Sequence, residues 1–302
     1  MKKNKIIITG GAGFVGSNLV SFFLKKTNLK IISLDNYSSG NRKNHIKNSR
    51  VKYIKANTKD IEKYLNNPKT INAVFHFGEF ARIYQSFLNM AECLNSNSIG
   101  TNAVLKFCLK NKIKLIYSAT SASLGNKGND KNLSPYAFTK SKNLELLENL
   151  KKWFGFKYEV IYFYNVYGPN QITKGKMATV IGIFEDAYKN KKPLPVVKPG
   201  TQSRRFTHID DTIKICFLAW KKNLCRHYSI SHRKSYSILS VAKMFKTRIK
   251  FLPKRPGERY ASALSNMNLS NRVYKHFGKI SLENYIYNII KKFNLIFFLF
   301  LF

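Results

Sequence analysis

A glycine-rich turn that follows a short β-branched run restricts the fold more than any other feature of this chain. The run Lys5–Thr9, Lys-Ile-Ile-Ile-Thr, predicts a buried strand, and it leads directly into Gly10–Gly16 and an apolar-periodic helix. Strand, glycine turn and helix in this order are what a dinucleotide-binding fingerprint requires. Gly10 then makes the tight turn, Gly13 lets the backbone approach a pyrophosphate, and Gly16 lets the helix pack closely on the strand. The helix N-terminus offers free N–H groups and a positive dipole end to the phosphates.

An acidic residue follows at the place where the ribose of such a cofactor is recognised. A second strand, Lys30–Leu34, ends at Asp35, about 20 residues past the glycines. A carboxylate there accepts hydrogen bonds from the adenosine ribose hydroxyls and repels a 2′-phosphate. The sequence therefore predicts NAD, rather than NADP, as the cofactor.

Strand and helix patterns alternate through the first half of the chain. This alternation predicts an α/β fold of the Rossmann type, a doubly wound parallel sheet that binds ligands at the carboxyl ends of its strands. Further strands are expected at Val51–Lys55, Ala73–Phe77, Lys114–Ser118 and Tyr158–Phe163. Helices are expected from Ser17 to about Lys26, at Ile61–Leu65, over about Met90–Asn111, at Tyr136–Phe154 and at Asp210–Lys221.

The alternation loosens after Gly168-Pro169, where short elements and prolines follow one another. A chain of 302 residues suits one α/β domain with a smaller second lobe. We expect an NAD-binding domain over 1–167 onto which 205–225 packs back, a C-terminal substrate-binding lobe made of 168–204 and 226–293, and an apolar tail over 294–302.

A tyrosine and a lysine four positions apart are the candidate chemistry. Ser134–Lys140 reads Ser-Pro-Tyr-Ala-Phe-Thr-Lys, and a helix places Tyr136 and Lys140 on one face, one turn apart. A protonated lysine favours the phenolate, so the ordinary tyrosine pKa of about 10 falls toward the working pH. Such a tyrosine can take the proton of an alcohol while hydride leaves the same carbon. Because the chain is rich in both residue types, a solvated helix face is the alternative that the spacing alone leaves open.

The net charge is strongly positive, with 53 basic and 15 acidic residues and a formal charge of +38. A nucleic-acid partner is one interpretation. The other, which we favour, is a biased composition rich in Lys, Asn, Ile, Phe and Tyr, because the lysines are scattered and no nucleic-acid-binding signature occurs. Four cysteines without a metal-binding spacing, and no signal peptide before the first strand, predict a cytoplasmic protein with no metal site.

The apolar end Leu295–Phe302 has three open interpretations. It is a membrane-touching tail behind Lys291-Lys292, a packed terminal segment, or a frayed end from a truncated or shifted reading frame. Eight apolar residues are too few for a membrane span, which needs about 20.

The motifs together resemble the extended short-chain dehydrogenase/reductase superfamily, and within it nucleotide-sugar epimerases of the UDP-glucose 4-epimerase type. The resemblance extends from Lys5 to about Phe293. It is carried by Thr9–Gly16, Asp35-Asn-Tyr-Ser-Ser-Gly40, Val74-Phe-His76, Tyr117-Ser-Ala-Thr-Ser121, Ser134–Lys140, Tyr164-Asn-Val-Tyr-Gly-Pro169, Arg204-Arg-Phe-Thr-His-Ile-Asp-Asp211 and Arg255-Pro-Gly-Glu258.

The resemblance implies roles for individual residues. Tyr136 is the acid/base at the sugar hydroxyl, Lys140 binds the nicotinamide ribose, and Thr120 is the catalytic hydroxyl five residues before Gly125. The residues implied for the cofactor are Gly10, Gly13, Phe14, Val15, Gly16, Asp35, Asn36, Asn57, Thr58, Phe77, Gly78, Asn97, Tyr136, Lys140 and Phe163. Those implied for the nucleotide-sugar substrate are Thr120, Tyr136, Asn165, Arg204 and Arg255. We expect His76 to be structural and to bond the backbone at its strand end.

The resemblance also implies a reaction, which the residues after Thr120 help to select. Dehydratases of the superfamily have an acidic pair at that place, whereas this chain has Ser121-Ala122. We therefore expect a UDP-hexose 4-epimerase that oxidises C4 transiently, with a nucleotide-sugar dehydratase or a keto-sugar reductase as the alternative and a non-catalytic NAD-binding protein as a further one. A homodimer is implied as well. Two departures from the family pattern, Glu79 beside the cofactor stretch and a short Gly125–Ser134 loop, bear on which sugar is used.

Overall fold

An eight-stranded, entirely parallel sheet forms the centre of the molecule. The structure is a computed structural model, which describes residues 3–123, 130–257 and 273–299. Its strands stand in the order β14-β11-β6-β5-β4-β1-β2-β3. They are β1 (Lys5–Thr9), β2 (Lys30–Asp35), β3 (Val51–Lys55), β4 (Ile71–His76), β5 (Lys114–Thr120), β6 (Tyr158–Phe163), β11 (His227–Ser231) and β14 (Val273–Phe277). In chain order, β1, β2 and β3 extend toward one edge of the sheet, and β4, β5 and β6 extend toward the other. The order in which strands are added therefore reverses between β1 and β4, while all strands stay parallel. The Rossmann-type α/β prediction is confirmed.

Helices cover both faces of this sheet, because its central strands are apolar on both sides. Ile6, Ile7 and Ile8 of β1 are fully buried, with Ile7 in one apolar cluster and its two neighbours in the other. The helices are α1 (Phe14–Lys26), α2 (Ile61–Tyr64), α3 (Ile83–Leu88), α4 (Met90–Leu94), α5 (Thr101–Lys110), α6 (Pro135–Phe154), α7 (Val180–Lys189), α8 (Ile209–Lys221), α9 (Ile238–Met244) and α10 (Leu282–Leu299). Side chains of α5 and α6 pack on one face of the sheet, and those of α1 and α8 on the other.

The helix predicted over Met90–Asn111 is present but not regular. Between α4 and α5 the chain makes a π-helical turn, Asn95–Gly100. A Cβ at Gly100 would come within 2.3 Å of the Thr58 hydroxyl oxygen, so the widened turn meets the segment after β3 at close range. A π-turn of this kind depends on tertiary contacts and leaves no mark on the spacing of apolar residues.

A smaller group of elements packs around its own apolar cluster, which includes Phe184, Phe206 and Phe245. Its short strand pairs are β10 (Thr207–His208) with β7 (Val166–Tyr167), β12 (Ser235–Ser237) with β9 (Ser203–Arg205), and β13 (Ile249–Leu252) with β8 (Leu194–Val197). Helices α7, α9 and α10 contribute to the same cluster.

Two strands from the range that we assigned to the second lobe join the large sheet instead. Residues of β11 are buried throughout and pair in parallel with β6, and β14 pairs in parallel with β11. The reason is that β11 follows α8, and α8 packs on the sheet face beside α1, so the chain returns to the sheet edge. The division of the chain into two domains stays a prediction.

The C-terminal helix α10 continues to Leu299, and the rest of the predicted apolar tail, 300–302, lies outside the described residues. Within the described part of the chain, no helix combines the length and the apolar character that a membrane crossing needs.

Candidate active site

Two adjoining cavities form a cleft at the carboxyl ends of the parallel strands, which is where this fold binds ligands. Their volumes are about 600 and 180 Å³, and Gly10, Asp35, Asn36, Gly78 and Glu79 line both. We call the larger one the outer cavity and the smaller one the inner cavity. Of the residues predicted to bind the cofactor, the outer cavity adds Asn57 and Thr58. The inner cavity adds Gly13, Phe14, Val15, Gly16, Phe77, Tyr136, Lys140 and Phe163.

The glycine turn has the geometry that the fingerprint predicts. Gly10 has φ +69°, and a Cβ there would lie 2.9 Å from the backbone nitrogen of Gly78. A Cβ on Gly16 would lie 2.1 Å from the carbonyl oxygen of Gly10, so the helix packs directly against the turn. At Gly13 that same carbonyl, 3.1 Å away, is the one atom within contact range of a Cβ. Gly13 therefore leaves the backbone open for a ligand, as a pyrophosphate requires.

Asp35 connects the glycine turn to the loop after β2. Its Oδ2 accepts from the N–H of Ala12 (2.9 Å), and its Oδ1 accepts from the N–H of Tyr37 (2.8 Å). Burial raises the pKa of Asp35, and the hydrogen bonds from Tyr37, Ala12 and Gly13 oppose that rise. Asn36 and Asn57 lie beside it, joined by a bond of 3.0 Å from the Asn36 amide nitrogen to the Asn57 amide oxygen.

Helix α6 brings the tyrosine and the lysine to the inner cavity. Ser134 caps its N-terminus by accepting from the N–H of Ala137 (3.1 Å), and Pro135 occupies the first turn. The N–H of Tyr136 donates to the Ser86 hydroxyl of α3 (3.2 Å), which fixes the start of the helix. Tyr136 and Lys140 therefore line the same cavity from successive turns of one helix. A solvated helix face, the alternative that the spacing left open, is excluded because Lys140 is buried.

Glu79 is the main residue at the site whose role the sequence analysis did not assign. Its side chain is 1 % exposed and forms an ion pair with the ammonium of Lys140, whose side chain is 4 % exposed. Lys140 also donates to the carbonyl oxygen of Ser118 at 2.6 Å. The sequence did contain a sign of this role, because Glu79 is an acidic residue at a position where the family pattern has a small one.

His76 is structural, as expected, but its partners are not backbone groups. Its Nδ1 is 2.8 Å from the Thr9 hydroxyl, and its Nε2 is 2.9 Å from the Thr101 hydroxyl. Burial lowers the pKa of His76 to about 4, so the ring is neutral near neutral pH. The Thr9 hydroxyl in turn accepts from the N–H groups of Phe77 (3.1 Å) and Gly78 (3.0 Å). The histidine thus holds the loop after β4 through a threonine.

Asn97 is placed differently from the other predicted cofactor residues. It is fully buried in the π-helical turn, where its amide oxygen accepts from the N–H of Phe80 (2.7 Å) and its amide nitrogen donates to the Phe80 carbonyl (3.0 Å). Asn97 is not one of the described residues that line the two cavities. Because its amide bonds the backbone of the Phe77–Phe80 loop, its placement supports an indirect role in cofactor binding.

Of the residues predicted for the substrate, Tyr136 lines the inner cavity and the other four have different surroundings. Thr120 ends β5 and is nearly buried, its hydroxyl oxygen accepting from the N–H of Ala122 (3.2 Å). Asn165 donates to the Arg205 carbonyl (2.9 Å), and Arg204 lies on β9. The guanidinium of Arg255 lies 5.0 Å from the centre of the Tyr84 ring. Within the described chain none of these four lines either cavity, and Gly125 and Glu258 fall outside the described residues.

A segment after β7 reaches across the cleft. Ile172 and Met177 line both cavities, and Lys174, Gly175 and Lys176 line the outer one. The Arg82 guanidinium holds this segment by donating to the Met177 carbonyl from Nε (3.0 Å) and Nη2 (2.5 Å). The sequence analysis did not identify Arg82, because the contact joins residues far apart in the chain.

Comparison with known proteins decides the family. The model of the NAD-dependent epimerase/dehydratase family matches residues 6–231, which is most of the chain. The chain belongs to this family. Its members use NAD, and the open Gly13, the close-packed Gly10 and Gly16, and the Asp35 carboxylate are a set of residues that fits that cofactor.

Relatives within the family differ in their reactions. A putative UDP-glucose 4-epimerase of Methanocaldococcus jannaschii is 31% identical over 234 residues, which are 72% of this chain and 75% of that protein. A dTDP-D-glucose 4,6-dehydratase of Dictyostelium discoideum is 28% identical over 267 residues, 79% of this chain and 61% of that protein. The structure of a UDP-glucuronic acid 4-epimerase from Bacillus cereus, in complex with UDP-glucuronic acid and NAD, is 26% identical with a TM-score of 0.79 and covers 95% of this chain and 99% of that one.

Proposed function

We propose that the protein is a nucleotide-sugar 4-epimerase that acts on a UDP-hexose. The observation that carries the proposal is the position of Tyr136 and Lys140, which line the inner cavity beside the fingerprint glycines. An alcohol held in this cavity would meet the Tyr136 phenol in the same space that the fingerprint glycines line. The similarity to the putative UDP-glucose 4-epimerase supports UDP-hexose as the substrate class.

In the proposed mechanism Tyr136 moves one proton in each direction. Its phenolate oxygen takes the proton of the C4 hydroxyl, and the same oxygen returns the proton when the alcohol forms again. NAD, which the fingerprint glycines and Asp35 would hold, would supply a reversible acceptor for the C4 hydride, so that its return to the other face of the sugar would complete the epimerisation. Lys140 stays protonated and orients the ribose, while the Thr120 hydroxyl, at the end of β5, donates to the reacting oxygen.

Phosphate binding completes the proposal. The substrate diphosphate is held by Asn165, Arg204 and Arg255. The two arginines suit this role because a guanidinium forms two parallel hydrogen bonds to phosphate oxygens. The cofactor contacts of the cleft residues, including Asn57 and Thr58 at the outer cavity, are part of the same proposal.

A dehydratase is the second candidate, since the family includes such enzymes. Elimination of water needs a carboxylic acid near the reacting carbon, and after Thr120 the chain has Ser121 and Ala122. In the described part of the inner cavity Glu79 and Asp35 are the carboxylates, and the first is paired with Lys140 while the second accepts from two backbone N–H groups. The site therefore favours epimerisation.

The test is an incubation of the purified protein with a panel of UDP-hexoses and other nucleotide-hexoses without added cofactor. We expect interconversion of two C4 epimers, seen as new anomeric proton signals in NMR spectra, because NAD is regenerated in each cycle. A reductase would instead consume added NADH in proportion to product. Failure to interconvert any sugar, together with NADH consumption by a 4-keto sugar, would refute the epimerase proposal.

A homodimer is also proposed, formed through α4 to α6. Large apolar side chains on these helices and on the π-helical turn between α4 and α5 are exposed, among them Met90 (55 %), Ile99 (57 %) and Trp153 (62 %). Apolar surface of this kind marks interaction sites. We expect a dimer mass in sedimentation analysis and a monomer after Ile99→Glu, with Tyr287→Glu, an exposed position on α10, as the matched control. A monomeric unmodified protein would contradict the proposal.

A cytoplasmic location belongs to the proposal too. Cys93, Cys108, Cys216 and Cys225 are free thiols, and a reducing compartment preserves that state. Cell fractionation with immunodetection tests it, and recovery in an extracytoplasmic fraction would contradict it.

A further inference from the structure

The Glu79 carboxylate is surrounded by donors on both oxygens. Oε1 accepts from the Thr101 hydroxyl (3.0 Å) and the Tyr117 phenol (3.1 Å). Oε2 accepts from the Lys140 ammonium and lies 3.5 Å from the Ser118 hydroxyl. Thr101 comes from α5, Tyr117 and Ser118 come from β5, and Lys140 comes from α6. The donors to the carboxylate are the first, the second and the last of these, because the single hydrogen of the Ser118 hydroxyl has a shorter bond, 3.0 Å, to the His76 carbonyl. Such a set of partners satisfies an ionised carboxylate, whose oxygens only accept.

The proton positions around Glu79 follow from these bonds. The Thr101 hydroxyl has one hydrogen, and it is used toward Glu79, so Thr101 accepts from Nε2–H of His76. The Nδ1 of His76 then accepts from the Thr9 hydroxyl. A neutral imidazole with its hydrogen on Nε2 therefore connects the glycine-turn strand β1 to the Glu79 carboxylate.

Lys140 has few donors left for a ligand. Its ammonium has three hydrogens, of which one goes to Glu79 and one to the Ser118 carbonyl, while the Ser118 hydroxyl is 3.4 Å away. The Tyr117 ring lies 4.7 Å beneath the ammonium. The ammonium is therefore held in one place by the protein.

We propose that Glu79 is a positioning residue that fixes the Lys140 ammonium in the inner cavity and thereby sets the pH range in which the Tyr136–Lys140 pair works. Glu79 touches neither the sugar nor the cofactor in this proposal; it acts through Lys140. The proposal rests on the proposed function where it is tested by the rate of epimerisation. A second test, the spectroscopic titration of Tyr136, does not depend on that function.

The direction of the effect follows from charge. Burial lowers the pKa of Lys140, and Glu79 opposes that change by favouring the ammonium. Replacing Glu79 by a neutral residue removes a negative charge from the neighbourhood of both Lys140 and Tyr136. Both groups then lose their protons at lower pH than before, because a nearby negative charge favours the protonated form of each.

Other groups that face the pair do not titrate in the same range. Among the described residues, the titratable and charged groups around the pair, apart from Glu79, include Tyr117 from β5, His76 from β4, Cys93 from α4 and Arg82 from the residue before α3. Burial raises the pKa of Cys93 to about 11 and that of Tyr117 well above its ordinary value, and it lowers that of His76 to about 4. A change between these limits is therefore assigned to Tyr136 and Lys140.

The experiment compares the unmodified protein with Glu79→Gln, each loaded with NAD. The pH profile of epimerisation should move as a whole toward acid in the variant, each limb by at least about one pH unit. A second measurement does not depend on turnover: the absorbance of tyrosinate is recorded as a function of pH with and without Tyr136→Phe. The difference between the two curves gives the titration midpoint of Tyr136, and in Glu79→Gln this midpoint should also move toward acid.

Two further variants make the result specific. Glu79→Asp keeps the charge but withdraws it from Lys140, so it should give a smaller shift in the same direction. Glu145→Gln removes a carboxylate from the exposed Lys142–Glu145 pair on the same helix (2.8 Å) and should leave both measurements unchanged. If Glu79→Gln does not fold, Glu79→Asp carries the comparison, and an unshifted profile in it overturns the proposal.

The outcomes separate this inference from the proposed function. A slower Glu79→Gln with unshifted limbs and an unshifted Tyr136 midpoint shows a merely structural role and overturns the inference. A shifted midpoint in a protein that turns over no nucleotide sugar supports the inference and counts against the epimerase proposal.

Discussion

Tyr136→Phe is expected to reduce epimerisation by a factor of about 100 to 10,000, because it removes the group that takes and returns the C4 proton. The ring keeps its shape, and the N–H bond from this residue to Ser86 uses the backbone and survives. NAD should therefore remain bound. The measurement is the rate of interconversion, together with the amount of NAD released when the protein is denatured.

The control for this variant is another tyrosine whose hydroxyl faces solvent. Tyr287 on α10 is 65 % exposed, and Tyr287→Phe should leave both the rate and the NAD content unchanged. A Tyr136→Phe protein that retains the full rate refutes the assignment of Tyr136 as the acid/base.

Gly16→Ala is expected to abolish NAD binding and to lower the free energy of unfolding by about 3 kcal/mol. The added Cβ would lie 2.1 Å from the carbonyl oxygen of Gly10 and 2.7 Å from the Cα of Gly11. Both atoms are backbone, so the turn itself must shift, and the turn is what faces the pyrophosphate. Denaturant unfolding with and without NAD measures both effects.

A second glycine provides a matched control. Gly155 ends α6 with φ +65°, and a Cβ there would meet no atom within 4 Å. Gly155→Ala should therefore cost about 1 kcal/mol from backbone strain alone and leave NAD binding intact. If Gly16→Ala binds NAD like the unmodified protein, the close contact between helix and turn does not position the cofactor site.

Elements whose signals lie within a few residues were predicted well. Strand β1, the glycine turn and α1 follow one another directly between Lys5 and Lys26. Ser134 with Pro135 marks the start of α6 through bonds within one turn. The predicted strands β3 and β6 have the same bounds in the structure. Local hydrogen bonds and apolar periodicity decide these elements, so the sequence is sufficient for them.

Elements and roles that depend on distant partners were missed or placed differently. The π-helical turn, the joining of β11 and β14 to the large sheet, and the burial of Asn97 against Phe80 arise from contacts between separated segments. Arg82 reaches Met177 across 95 positions of sequence. No local pattern distinguishes such a residue from the many other basic residues of this chain.

The amino-acid sequence determined that the chain folds around a parallel sheet with an NAD fingerprint, and that Tyr136 and Lys140 share one face of a helix. These features are set by strand runs, a glycine turn and a four-residue spacing, all of which act over short distances. The tertiary structure decided what surrounds Lys140. Sixty-one positions separate it from Glu79, and the parallel strands and α5 carry Thr101, Tyr117 and Ser118 to the same place. An ionised carboxylate is stable at such depth because donors surround it, and that arrangement exists once the sheet and its helices have packed.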